Sequence, residues 1–347
     1  MSHPETGRHD HEHHDHEHHD HDHHDHDHDR APLARLRHLL RPHSHDTADQ
    51  VDAALEASAE GMRTLWISLA VLGATACIQA AVTVRSGSVA LLGDTPPAIV
   101  VYVDAWTRYG GSQFVDSPGT GRYHSYLCDE VVGYVDARYR TIPDAAHRAI
   151  TGKSSGGFGA MITPMLRPDL FGALATHAGD ALYEYSYIPA FPVVVRHLRK
   201  YDGDIFRWWD DFRSRVAFTQ PEDMPLVALL GVAACFSATA DGTPELPFDP
   251  VTGVLRPDVW QRWLDWDPVR MVPRYAAALR GLRGIWIDSG TRDDFYLDVG
   301  AAAFRAALLD AGVSEELIRF ELFDATHAGI DYRYPLSLAW LCQRMAD

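Results

Sequence analysis

The run GKSSG at residues 152–156 places Ser154 between two glycines in the pattern G-x-S-x-G. The preceding run RAIT has the composition of a buried strand, and residues 157–166 have the composition of a helix. A serine on such a strand-to-helix turn is held in a strained conformation that exposes its hydroxyl at the carboxyl edge of a sheet. The helix N-terminus and the backbone N–H of Ser155 then point at a developing oxyanion. The pattern therefore predicts Ser154 as a nucleophile and Ser155 as an oxyanion donor.

A serine hydroxyl is a poor nucleophile unless a base accepts its proton, and His327 is the candidate for that base. His327 follows closely on the apolar run RFELFD, which predicts that it lies where a strand ends. His177 also follows the serine in sequence, but it lies within another predicted strand and is interpreted as structural. The sequence thus offers one histidine, His327, in a position suited to acid–base chemistry.

A catalytic histidine needs an acid that holds its tautomer and stabilises the imidazolium. Asp293 and Asp294 follow the predicted strand GIWID; Asp293 is the preferred acid and Asp294 the alternative. Asp288 is less favoured because it lies inside that strand. Taken alone, each carboxylate also fits the role of a helix cap or a solvated side chain. Asp180, which follows the run THAG, is assigned no role.

Short apolar runs alternate with helical patterns along the C-terminal part of the chain, which indicates a parallel sheet with crossover helices. The order of the candidate residues, serine, then aspartate, then histidine, is the order found in α/β-hydrolase folds. Strands are predicted at 98–104, 148–151, 172–179, 284–290 and 319–324, and helices at 125–140, 157–166 and 336–345.

Several separate motifs resemble the putative esterase family, which contains esterase D, the antigen 85 mycolyltransferases and feruloyl or acetylxylan esterases. They are GGSQFVDSPGTGRYHSYL, ITGKSSGGFGAM, THAGDALYEYSY, DSGTRDDFYLDVGA and THAGIDYRYPLSL. The resemblance extends over residues 99–341 and implies hydrolysis of a small-molecule carboxylic ester through an acyl-enzyme. It supports Ser154 as nucleophile, Asp293 as acid and His327 as base. It also implies an α/β-hydrolase-type parallel sheet flanked by helices, within an esterase domain at 96–347.

The resemblance begins after the family's first strands, including the one that carries a His-Gly oxyanion motif. The second oxyanion N–H therefore has no counterpart, and Trp106 or Thr107 is the candidate substitute. Loss of one such donor lowers the rate by about 100- to 1,000-fold, so the activity is expected to be impaired. A long aromatic-rich stretch at 181–280 is interpreted as a cap-like insertion that covers the site.

Residues 1–46 form a His/Asp-rich tail. This tail has too little apolar surface to form a core, so it is predicted to be disordered. Its dense imidazoles and carboxylates are expected to bind divalent metal weakly and without fixed geometry. Whether this binding is a metal-sequestering function or incidental to a solvated tail stays open. No metal or cofactor site is predicted in the esterase domain, and the four cysteines lack a zinc-ligand spacing.

Residues 47–95 are predicted to be helical, with one candidate transmembrane helix at 64–84 that carries no charge. The His-rich tail, this apolar helix and the run SGSVALLGD at 86–94 together resemble the N-terminus of a cation diffusion facilitator. A membrane location is expected, and arginines before the helix would keep the N-terminus cytoplasmic. If 64–84 spans the bilayer in that orientation, the esterase domain faces outward. The alternative is that the helix packs as a soluble element and the protein is cytoplasmic.

These features leave three hypotheses for the function. The first is a serine ester hydrolase; the second is a metal-binding membrane-associated protein with an inactive hydrolase remnant. The third is acyl transfer of the mycolyltransferase type, which proceeds through the same acyl-enzyme. The formal net charge of −17 argues against nucleic acid as a partner. The first reading is preferred because three catalytic roles occur in order, while the transporter-like part lacks an intramembrane metal site.

Overall fold

The computed structural model describes residues 96–346. The predicted disordered tail at 1–46 and the segment at 47–95, with its predicted membrane helix at 64–84, lie outside the described residues. Within the described residues, no helix has both the length and the apolar character that crossing a bilayer requires.

A four-stranded parallel sheet forms the centre of the described part of the chain, with the order β5-β6-β7-β8. Its strands are β5 (Ala149–Lys153), β6 (Ala173–His177), β7 (Gly284–Gly290) and β8 (Ile318–Phe323). Every residue of β6 and β7 is buried, as a parallel sheet covered on both faces requires. The predicted strands at 172–179, 284–290 and 319–324 are therefore confirmed in position.

Alternate residues of the central strands face two different cores. Leu174 and Ile285 lie in the large core, which also holds Phe158 and Phe304 from the covering helices. Ala173 and Trp286 belong to a smaller core that is closed by Leu341 of the C-terminal helix. Because side chains alternate along a strand, this division shows that helices cover both faces of the sheet.

The longest helices have 12 to 14 residues, and the others are shorter. They are α1 (Tyr123–Ser125), α2 (Val132–Arg138), α3 (Ser155–Leu166), α4 (Tyr183–Ser186), α5 (Phe191–Leu198), α6 (Ile205–Ser214), α7 (Asp223–Phe236), α8 (Pro257–Leu264), α9 (Pro268–Met271), α10 (Ala276–Arg280), α11 (Leu297–Asp310) and α12 (Arg333–Ala346). Helices α4 to α10 all lie between β6 and β7, in the stretch predicted to be an insertion. Its aromatic side chains mainly fill the protein core: Tyr183, Trp208 and Trp263 are fully buried.

The helix predicted at 125–140 is interrupted. A π-helical segment, Tyr126–Val131, joins α1 to α2, so the backbone gains one extra residue per turn there. The apolar spacing that predicted one continuous helix is preserved only in part, because Leu127 is buried whereas Val131 and Val132 are partly exposed.

The strand predicted at 98–104 is wrong. These residues have no regular secondary structure, and Ile99, Val100 and Tyr102 are exposed. Among residues 96–346 the sheet ends at β5, all of whose residues are only partly buried, and the apolar run pairs with none of its strands. Two short hairpins follow instead: β1 (Trp106–Thr107) with β2 (Gly110–Gly111), and β3 (Asp116–Ser117) with β4 (Gly121–Arg122).

One aromatic side chain joins α3 to the insertion, and its loss should destabilise the packing of both. Phe158 of α3 is completely buried against Tyr183 and Phe236. Replacing it by alanine leaves a cavity, so Phe158→Ala should lower the free energy of unfolding by about 3–5 kcal/mol. Urea denaturation checks this value, with the exposed Phe218→Ala as the control, expected to change it by less than about 1 kcal/mol. Equal effects of the two substitutions would contradict the shared core.

Candidate active site

Ser154 occupies a strained turn between β5 and α3. Its backbone has φ 55° and ψ −124°, a combination that residues with a side chain rarely adopt. The turn is closed by a tight approach of its flanking glycines: a Cβ added to Gly152 would lie 2.3 Å from the carbonyl carbon of Gly156. The backbone N–H of Ser154 donates to the carbonyl of His177 at 3.0 Å, which ties the turn to the end of β6. The local structure therefore has the geometry predicted from the G-x-S-x-G pattern.

Ser155 is the first residue of α3, so its backbone N–H lies at the positive end of a twelve-residue helix. This placement suits the predicted donation to an oxyanion beside Ser154. The β1–β2 hairpin lies next to the same turn, because a Cβ added to Gly111 would be 3.7 Å from the Ser155 hydroxyl. The Trp106 N–H, predicted as a substitute second donor, is used internally and donates to Asp104 Oδ1 at 3.0 Å.

His327 and Asp293 are joined by a hydrogen bond of 2.8 Å between Nδ1 and Oδ2. The Asp293 side chain is fully buried, and its other oxygen accepts from the backbone N–H groups of Phe295 and Leu297. The Phe295 ring contacts the imidazole edge-on at 4.9 Å between centroids. Asp294, the alternative acid, accepts instead from the backbone N–H of His327 at 3.3 Å. The imidazole is thus oriented by Asp293, while Asp294 holds the loop.

The three predicted catalytic residues are placed by separate elements. Ser154 lies after β5, Asp293 after β7 and His327 after β8, all at the carboxyl ends of parallel strands. Among residues 96–346, no hydrogen bond joins the Ser154 hydroxyl to His327, whereas His327 and Asp293 are directly bonded. The acid–base pair is therefore formed in the structure, and the catalytic roles of all three residues stay a prediction.

A second histidine–aspartate pair lies inside the sheet. His177 Nδ1 is 2.6 Å from Asp288 Oδ1, and its Nε2 is 2.9 Å from the Ser337 hydroxyl of α12. All three residues are buried, and Arg333 also pairs with Asp288 at 2.9 Å. Although burial alone would raise it, hydrogen bonds from His177, Trp286 and Arg333 hold the pKa of Asp288 below its usual value. Solvent does not reach this histidine–aspartate pair. Its hydrogen bonds to Ser337 and Arg333 fasten α12 to the strand ends beside Ser154.

Three further residues near the site, Asp180, Tyr187 and Gln113, were given no role by the sequence analysis. Asp180 follows β6, and its Oδ2 accepts hydrogen bonds from Tyr187 at 2.8 Å and from Gln113 Nε2 at 3.3 Å. All three side chains are buried. The position of Asp180 just beyond a strand end was a usable signal, but nothing in the sequence connects it to Gln113, 67 residues earlier. Elsewhere in the described range, no group of three metal-ligating side chains comes together.

The parallel sheet, the strained serine turn and the histidine–aspartate pair at its carboxyl edge define a protein of the α/β-hydrolase type. A sequence model described as "Putative esterase" matches residues 89–331. The chain belongs to the putative esterase family, and the predicted resemblance is confirmed.

Solved structures with a similar fold include a ferulic acid esterase, which is 20% identical, with 76% of each chain covered and a TM-score of 0.43. An S-formylglutathione hydrolase from Agrobacterium tumefaciens is 16% identical over 72% of this chain and 70% of its own, with a TM-score of 0.41. MPT51 of Mycobacterium tuberculosis is 17% identical over 68% of this chain and 74% of its own, with a TM-score of 0.39.

Two curated proteins share a shorter similarity. Both are described as a probable cation efflux system protein of Mycobacterium tuberculosis, from strains CDC 1551 / Oshkosh and ATCC 25618 / H37Rv. Each is 56% identical to this chain over 62 residues, which is 18% of this chain. The match spans only 19% of the length of these relatives.

The close approach of the two glycines should make Gly152 intolerant of any side chain. A methyl group there would collide with the backbone of Gly156, so Gly152→Ala should lower the free energy of unfolding by about 1–3 kcal/mol and displace Ser154. Gly133→Ala is the matched control, because a Cβ at Gly133 of α2 meets nothing within 4 Å. In a helix this control should stabilise by about 0.5–1 kcal/mol. Urea denaturation of both variants decides; a tolerated Gly152→Ala would contradict the tight turn.

Proposed function

We propose that this protein is a serine carboxylic-ester hydrolase that acts through an acyl-enzyme on Ser154. The observation that supports this function most directly is the strained Ser154 turn at the start of α3, at the sheet edge that also carries the bonded His327–Asp293 pair. Membership of the putative esterase family supports ester hydrolysis as the type of reaction.

In the proposed mechanism, the Ser154 hydroxyl oxygen attacks the ester carbonyl while His327 Nε2 accepts its proton. The carbonyl oxygen becomes an oxyanion and accepts a hydrogen bond from the backbone N–H of Ser155. Collapse of this tetrahedral intermediate breaks the bond to the alcohol oxygen, which takes the proton from His327. Water then attacks the acyl-enzyme with His327 again as base, releasing the acid and restoring the serine.

Asp293 has two roles in this scheme. Its Oδ2 accepts from His327 Nδ1, so the proton lies on Nδ1 and Nε2 is free to accept the serine proton. Its negative charge then stabilises the imidazolium. The two backbone N–H groups that donate to Oδ1 fix the carboxylate in this orientation. The side chain thus enters the reaction already positioned, which lowers the reorganisation needed in the transition state.

The proposed oxyanion site has one assigned donor, Ser155. Because Trp106 N–H donates to Asp104, it does not supply the second donor in this conformation, and the other candidate, Thr107, stays a prediction. A site with one donor is expected to be slower than a site with two by about 100- to 1,000-fold. We therefore propose a weak hydrolase, whose turnover is limited by stabilisation of the tetrahedral intermediate.

Hydrolysis of p-nitrophenyl acetate by the purified protein tests this function. Ser154→Ala should remove all turnover above the rate in buffer, and Asp293→Asn should lower kcat by about 10,000-fold because the wrong tautomer forms. Asp294→Asn is the matched comparison and should retain most activity, since among residues 96–346 that carboxylate accepts a hydrogen bond only from the His327 backbone. If Asp294→Asn were as damaging as Asp293→Asn, the assignment of the acid would be wrong. Full activity in Ser154→Ala would refute the proposed nucleophile.

A further inference from the structure

Asp180 lies at the edge of the proposed catalytic site. It follows β6, whose last residue accepts the backbone hydrogen bond from Ser154, and its loop packs against the start of α3 at Gly157. The carboxylate is near enough to His327 and Asp293 for their charges to influence its pKa. The proposed mechanism gives Asp180 no role, although it is a buried acid beside the reacting groups.

Asp180 differs from the other buried aspartates in the described part of the chain. Residues 96–346 contain five of them, and four are paired with basic side chains. The pairs are Asp223 with Arg215, Asp267 with Arg270, Asp288 with His177 and Arg333, and Asp293 with His327. Within the same range, Asp180 has only the neutral donors Tyr187 and Gln113. A buried carboxylate without a cation is unfavourable, so a positive partner would be strongly stabilised there.

The hydrogen bonds at Asp180 leave acceptor oxygens for a ligand. Tyr187 and Gln113 both donate to Oδ2, and no hydrogen bond from residues 96–346 reaches Oδ1. The Gln113 Oε1 atom is buried and also lacks a hydrogen-bond partner. Gln113 is held in place by a turn with positive φ at both Gln113 and Phe114, which residues with side chains rarely adopt. Among residues 96–346, neither Asp180 Oδ1 nor Gln113 Oε1 accepts a hydrogen bond, and the two side chains are joined by the bond from Gln113 Nε2 to Asp180 Oδ2.

We propose that Asp180 and Gln113 form a subsite for a primary ammonium group on the ester substrate. This inference rests on the proposed ester hydrolysis for the identity of the ligand as an ester. The ammonium group would supply the cation that Asp180 lacks and N–H donors for both unpaired oxygens. A neutral alcohol offers one donor and no charge, and a quaternary ammonium offers charge without any donor. A primary ammonium satisfies both requirements.

The electrostatics of Asp180 agree with this assignment. Burial raises the pKa of Asp180, while the hydrogen bonds from Tyr187 and Gln113 and the charge of His327 lower it. A bound ammonium would lower that pKa further, because an adjacent positive charge favours the ionised carboxylate. The ligand and the carboxylate thus stabilise each other's charged forms.

Simple amines test the subsite without knowledge of the natural ester. Butylammonium, 1-butanol and tetramethylammonium are compared as inhibitors of p-nitrophenyl acetate hydrolysis at pH 7. The wild-type protein should bind butylammonium about tenfold or more tightly than either of the other two, as expected for a charge-assisted hydrogen bond. In Asp180→Asn this preference should disappear. Asn keeps an oxygen that accepts from Tyr187, and thermal unfolding verifies that the variant is folded.

Two additional experiments separate the subsite from the effects of net charge and of catalytic activity. Asp210→Asn removes one exposed carboxylate from α6, so it controls for net charge and should leave the preference intact. Ligand-observed nuclear magnetic resonance measures butylammonium binding without turnover, so an inactive protein would disprove hydrolysis without deciding the subsite. Equal binding of butylammonium and 1-butanol by the wild type, or an unchanged preference in Asp180→Asn, would overturn the proposal.

Discussion

The site depends above all on the contact between the backbones of Gly152 and Gly156. Because neither glycine has a side chain, β5 can turn sharply into α3. This sharp turn forces Ser154 into its strained conformation. The hydrogen bond from Ser154 N–H to the His177 carbonyl links this turn to β6. The parallel ladders from β6 to β7 and from β7 to β8 place Asp293 and His327 at the same edge of the sheet. The chemistry therefore follows from a close packing of strand and helix.

The two histidine–aspartate pairs differ in their burial. His177 and Asp288 are sealed among α12 and the sheet, where Ser337 and Arg333 satisfy their remaining hydrogen-bonding groups. His327 is partly exposed and is held by Asp293 on one side only. The two pairs have similar bonding geometry, so geometry alone does not identify a catalytic histidine. Access to substrate distinguishes the second pair from the first.

The sequence predicted the nucleophile turn, strands β6 to β8 and α12 because each depends on local patterns of glycine or apolar residues. It did not predict the state of residues 98–104, since an apolar run indicates a buried strand only where a neighbouring strand pairs with it, and no described strand does so here. The π-helical step before α2 was also missed, because the apolar spacing fits either helix type. The Asp180–Gln113 pair was beyond prediction, since it joins residues far apart in sequence.

Labelling of the intact protein by a fluorophosphonate, followed by mass measurement, tests the central claim most directly. The account predicts one adduct on the wild-type protein and on Ser155→Ala, which retains the backbone N–H at that position. It predicts none on Ser154→Ala. Absence of an adduct on folded wild-type protein, or an adduct that persists in Ser154→Ala, would contradict the claim that this turn and the His327–Asp293 pair activate Ser154.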